Sequence, residues 1–170
     1  MRRALGFALL LLSAALWASE RIQDRAAQNE ALRSFCGLLG QLYGLLETEG
    51  APMPELLQTL TERADGAARD FAAALSASLT ALGEQSFEAL YRAALAQNQI
   101  ARDKDARRAL EALGAVLGRY ELKTQLDAVS GCLAALRREL DKREGEARDA
   151  GRLTLGLSLS GAALLGIILL

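Results

Sequence analysis

Few side chains in this sequence have the type and spacing for chemistry. There is no histidine, and the two cysteines, Cys36 and Cys132, form no Cys-x-x-Cys pair. Zinc sites draw several Cys or His ligands at short spacing, so the pattern speaks against a metal centre. Carboxylates fall close together at Glu47/Glu49 and Glu144/Glu146, and paired carboxylates can serve as general acid and base. Here they stand among lysines and arginines on what read as exposed helix faces or ends. No GxxxxGK[ST] phosphate loop, GxGxxG or GxSxG is present, and each of those chemistries needs its loop. The expectation is a protein that is not an enzyme and takes no cofactor.

The cysteines read as two small buried hydrophobes. A disulfide between them would need closely facing helices and an oxidising compartment.

The elements that would position any site are set by the two ends of the chain. Ala4 to Ala18 is apolar and follows Arg2-Arg3, and Leu153 to Leu170 is apolar or small throughout. Crossing a hydrocarbon core takes about 17–25 such residues, which the C-terminal run supplies without a charge. The N-terminal run is shorter and spans with help from Ser19 and its neighbours. It also resembles a secretory signal peptide, but Leu16 and Trp17 put large residues where a cleavage site needs small ones. An uncleaved anchor is favoured. The domains expected are therefore a transmembrane helix over 1–20, a helical bundle over 21–151 and a second transmembrane helix over 152–170.

Basic residues orient such a chain. Arg21, Arg25 and Arg33 follow the first apolar run, and Arg137, Arg138, Lys142, Arg143, Arg148 and Arg152 precede the second. Nothing basic follows Leu153, so the central domain is expected in the cytoplasm, on the inner face of the cell membrane.

Hydrophobic residues make up 51% of the chain and prolines number only two, a composition for packed helices. The net charge of −1 provides no basic field for nucleic acid. Leu32, Phe35, Leu39, Leu42 and Leu46 recur at spacings of 3, 4, 3 and 4. Leu122, Leu126, Val129, Leu133, Leu136 and Leu140 recur at 4, 3, 4, 3 and 4. Each is an a/d seam of a helix that packs on another. Between them, Gly50 with Pro52 and Pro54 marks a stop and a restart. Asp65-Gly66, Gly83 and the charged run Arg102-Asp103-Lys104-Asp105 mark further breaks. The fold class predicted is all-α, a bundle of about six helices flanked by the two membrane helices.

Glycine pairs Gly40/Gly44 and Gly114/Gly118 each share a helical face. Glycine costs a helix interior about 0.5–1 kcal/mol against alanine, so close approach by a neighbouring helix is the expected compensation, with Gly118 an alternative C-cap. In the last apolar run Ser158, Ala162 and Gly166 form a small-residue stripe suited to helix association in lipid.

The whole pattern resembles the stage III sporulation protein AB family of endospore-forming bacteria. Its most specific stretch is Leu113-Gly114-x-x-Leu117-Gly118 with Glu121 and Gln125, similar to the family's LGxxLGxSDxxxQ region. Leu45-Leu46-Glu47-Thr48-Glu49 leading to Pro52-Met53-Pro54-Glu55-Leu56-Leu57 resembles its helix-turn-helix opening, and Gly161 to Leu170 its closing span. Tyr120-Glu121 stands where the family often has Ser-Asp, and Tyr91 where an aromatic is usual.

The resemblance implies a non-enzymatic scaffold or platform subunit of the secretion-like channel complex between mother cell and forespore. The membrane would be that of the mother cell, which becomes the outer forespore membrane. It implies a bundle similar to the F platform protein of type II secretion and type IV pilus machines. The implied partners are a secretion-type ATPase of the same operon, other membrane channel subunits, the lipid bilayer and a possible second copy of the chain. A generic membrane-anchored helical binding module, or a secretion or pilus platform subunit outside sporulation, is the alternative. Contact with partners is expected at turns far from the membrane, through Glu47, Glu49, Arg102, Asp103, Lys104 and Arg119.

Overall fold

A 47-residue helix, α1 (Arg2–Thr48), opens the chain and a 48-residue helix, α6 (Leu122–Leu169), closes it. Four short helices lie between them: α2 (Met53–Arg63), α3 (Gly66–Ser78), α4 (Phe87–Gln97) and α5 (Lys104–Gly114). The computed structural model describes the backbone of residues 2–48, 52–81 and 83–169, and the side chains of 23–48, 52–81 and 83–147. Among the described residues there are six α-helices, 3₁₀ turns at Leu79–Ala81 and Gln99–Arg102, and no strand.

Local chemistry fixes the breaks. Helix α2 starts on Pro52 with proline again in its first turn and Glu55 beside it, using positions that have no intrahelical N–H partner. The hydroxyl of Ser86 accepts from Ala89 N at 3.3 Å and starts α4. The carboxylate of Asp103 accepts from Asp105 N at 3.0 Å and Ala106 N at 3.1 Å and starts α5. Both are N-caps, satisfying donors that a helix start leaves orphaned. Helix α4 ends at Gln97, ahead of the charged run expected to break the chain, because Asn98 is extended and its side chain turns the chain by accepting from Ile100 N at 3.1 Å.

The predicted seams face inward, except at Leu122, where the α6 seam begins in solvent. Leu32, Phe35, Leu39, Leu42 and Leu46 on α1 are all buried, as are Val129 and Leu136 on α6. Helix α1 packs along α6 and α3; α3 meets α2 and α4, α4 meets α5, and α5 meets α6, closing the ring. Rings run through its centre. Phe35 of α1 lies 5.4 Å from Phe71 of α3, which meets Tyr91 of α4 edge-on at 5.0 Å. Such tilted and T-shaped contacts suit aromatic quadrupoles.

Contacts along their length show that α1 and α6 run antiparallel. Arg33 pairs with Glu144 at 2.7 Å, whereas Cys36, almost a turn further along α1, lies beside Arg137 and Asp141, earlier on α6; nearby, Arg143 Nη1 donates to Gln28 Oε1 at 3.5 Å. The bundle therefore has a stalk end, where α1 comes in and α6 leaves, and a far end holding the α1–α2 and α5–α6 connections.

Among the described residues no helix is long and apolar enough to cross a membrane. The side chains of Ala4–Ala18 and Leu153–Leu170, with Ser158, Ala162 and Gly166, lie outside the described residues, and so does Glu49.

Candidate partner-binding surface

The α5–α6 turn is made by the residues of the family-like stretch. Leu113 and Leu117 are buried in the core. Between them Gly114 backs onto the Tyr91 ring: a Cβ at position 114 would lie 2.7 Å from Cε1 and 2.8 Å from Cγ. Gly118 has φ +74°, the left-handed conformation that ends helices and that side chains resist. Gln125, on the first turn of α6, then clasps the loop. Its Oε1 accepts from Gly118 N at 3.2 Å and its Nε2 donates to the Tyr120 carbonyl at 2.7 Å.

The clasp holds the tip of the turn out in solvent. Tyr120 is 56% exposed and Leu122 46% exposed, the two large hydrophobic residues left in solvent among the described ones. Exposed Arg119 reaches Glu88 at 3.4 Å, and Glu88 also pairs with Arg92 at 2.7 Å. A rigid tip carrying an aromatic and an aliphatic side chain, ringed by charge, has the make-up of an interaction hot spot.

Of the residues expected to bind partners, the five that are described do not gather in one place. Arg119 is at the far tip, and exposed Glu47 at the far end of α1. Arg102, Asp103 and Lys104 sit at the opposite, stalk end, because Asp103 is joined to Arg143 of α6 next to Gln28.

Asp103 was expected as an exposed partner contact and is buried instead. Its side chain is 4% exposed. One carboxylate oxygen caps α5 and the other takes a short ion pair from Arg143 Nη2. Arg143 also donates through Nε to Glu139 at 2.9 Å. Each nitrogen of the guanidinium thus has an acceptor, as a largely buried charge requires. The cluster joins α1, α5 and α6 and leaves Asp103 no open face.

The glycines divide as well. Gly114 is a close-packing position, against a ring of the neighbouring helix, whereas Gly118 is a left-handed turn residue past Ala115, the C-cap of α5. At Gly40 and Gly44 an added Cβ would meet nothing within 4 Å, so no described helix approaches them.

The cysteines are free thiols. Burial, then the charge of nearby Cys36, pushes the Cys132 thiol up to about 12. Cys36 is raised as well, mainly by burial and opposed by Arg137. Neither has the depressed value of a reactive thiolate. Among the described residues no cluster of three or more His, Cys, Asp or Glu is arranged to hold a metal ion.

Sequence reasoning named Arg119 but missed Tyr120 and Leu122. The departure from Ser-Asp at 120–121 was the available signal for Tyr120. Leu122 was hidden, because it continues the α6 seam by spacing.

Comparisons with known proteins agree with this architecture. A family model described as "Stage III sporulation protein AB" matches residues 3–170. A solved structure described as "Stage III sporulation protein AB" superposes with a TM-score of 0.62 at 16% identity, covering 72% of this chain and 98% of that one. At that identity the likeness speaks for the fold. Comparison with curated proteins gave no match. With the family model matching nearly its full length, the chain belongs to the stage III sporulation protein AB family, a family of sporulation proteins.

Proposed function

We propose that this chain is a non-enzymatic, membrane-anchored platform subunit of a secretion-like channel between mother cell and forespore. Residues 1–20 and 152–170 would be its membrane helices, with the bundle facing the cytoplasm. The far tip would dock the secretion-type ATPase of the same operon, and the two anchors would meet other channel subunits. Force or position would pass from the tip through the core to α1 and α6, and so to the membrane.

The observation that carries this reading is the tip itself. Tyr120 and Leu122 are held in solvent by a turn that Gly118 and Gln125 lock, at the end of the bundle farthest from where α1 and α6 continue. A buried polar cluster at the other end ties those two helices together, which suits transmission better than catalysis.

The test uses the full chain in lipid nanodiscs, with the operon's ATPase applied as a soluble partner. Tyr120→Ser together with Leu122→Ser should weaken binding at least tenfold, the scale of a hot-spot pair, while unfolding is unchanged. Equal binding by parent and variant would remove the tip from the coupling role, and no binding by either would remove the ATPase.

A further inference from the structure

The α4–α5 junction lies at the stalk end and carries positive charge with no carboxylate to meet it. Arg102 and Lys104 are both exposed, and neither has an ion-pair partner among the described residues. Their neighbours cannot serve. The Asp103 carboxylate between them is turned inward to Arg143, Asp105 is set against Arg108 at 3.9 Å, and Arg107 is matched to Glu111 at 2.7 Å. Inward burial of one acid is thus what leaves two cations outward.

Distance favours a lipid surface as their partner. Asp103 is level with Gln28 and Arg143 through the Arg143 contacts. From Gln28 back to Ala18, and from Arg143 on to Leu153, α1 and α6 continue as unbroken helix, and ten residues at 1.5 Å span about 15 Å. The headgroup zone extends about 5–7 Å beyond the hydrocarbon on each side. That leaves about 8–10 Å, close to one Debye length at physiological salt and within the reach of an extended arginine or lysine aided by helix tilt. Of the connections at this end the α4–α5 junction is the lowest: the α2–α3 turn sits higher on α1, where Ala68 N bonds Ser34 Oγ at 3.3 Å.

We infer that Arg102 and Lys104 bind the headgroups of anionic phospholipids, seating the stalk end of the bundle on the cytoplasmic leaflet. The inference rests on the membrane anchoring proposed above. The contact would fix the tilt of the bundle, and with it the direction in which the far tip points.

A probe can be placed beside the pair. Gln99 is exposed, and Gln99→Cys can be labelled with bimane at neutral pH because the two native thiols are held neutral. The labelled full chain is reconstituted into vesicles of phosphatidylcholine, with or without about one-third phosphatidylglycerol, doped with headgroup-nitroxide lipid as quencher. Each basic residue near an anionic surface favours contact about fivefold, so quenching should rise at least twofold in the anionic vesicles. Arg102→Gln with Lys104→Gln should abolish that rise. Equal quenching in the two lipids, or a rise that survives the double substitution, overturns the inference. Failure of the protein to float with either vesicle would instead overturn the anchoring on which it rests.

Discussion

The ring of Tyr91 fills the space that any side chain at position 114 would need. A Cβ there would fall 2.8 Å from Cγ, closer than packed carbons approach, and the ring is pinned from behind by Phe71 at 5.0 Å. Tyr91 therefore cannot swing aside. Gly114→Ala gains about 1 kcal/mol of helix propensity but overpacks at about 1–3 kcal/mol or more. A net loss of about 1–2 kcal/mol is expected in urea unfolding. Tyr91→Leu should shrink that loss in a double-mutant cycle, since touching residues do not add.

Asp103 and Arg143 make a second prediction. Asp103→Ala removes an N-cap and breaks a buried pair, together about 3 kcal/mol or more. Asp103→Asn keeps an oxygen for the cap and should lose roughly half as much. Chemical denaturation of the two variants ranks them; equal stability would mean that the charge, not the cap, sets the cost.

The thiols predict how stability changes with pH. Cys132 has its ordinary value of 9.0 raised to about 12 by burial first and Cys36 second. Because the folded value is the higher one, the unfolded chain gives up its proton first as pH rises. The contribution is complete below pH 9.0 and drains away towards pH 12, with a limiting slope of about 1.4 kcal/mol per pH unit. Burial raises Tyr91 in the same direction, which steepens the fall at the upper end. Stability measured from about pH 8 to 10.5 should decline, and Cys132→Ala should flatten the curve.

Gly40 and Gly44 predict a gain. With open space at both, alanine adds no clash and restricts the unfolded chain, worth about 0.5–1 kcal/mol per site. Thermal unfolding of Gly40→Ala/Gly44→Ala should shift upward. A downward shift would mean that another surface covers this side of α1 in solution.

Much of the bundle was readable in the sequence because seams and breaks are local. Leu32 to Leu46 declared a buried face by spacing alone, and Pro52 and Gly118 declared their own turns. What stayed hidden depended on residues far apart in the chain. Asp103 looked like any charge in a polar loop, since its partner Arg143 lies 40 positions away. Gly40-x-x-x-Gly44 looked like a packing motif, but spacing tells which residues share a face and not whether that face is covered. Leu122 fitted the α6 seam, yet it falls past the end of α5, where no neighbour remains to bury it. The exposed tip was therefore only half visible, through Arg119.

The pairing of the first helix with the last has a consequence for biogenesis. Arg33 finds Glu144 across 111 positions, so a ribosome making about 5–20 residues per second needs roughly 5–20 s to deliver the second partner after the first. For that interval the inner leucines of α1 have no α6 to rest on, and the ring of helices closes only when translation is nearly finished. A nascent chain stalled before residue 122 should accordingly be protease-sensitive and attract a holding chaperone.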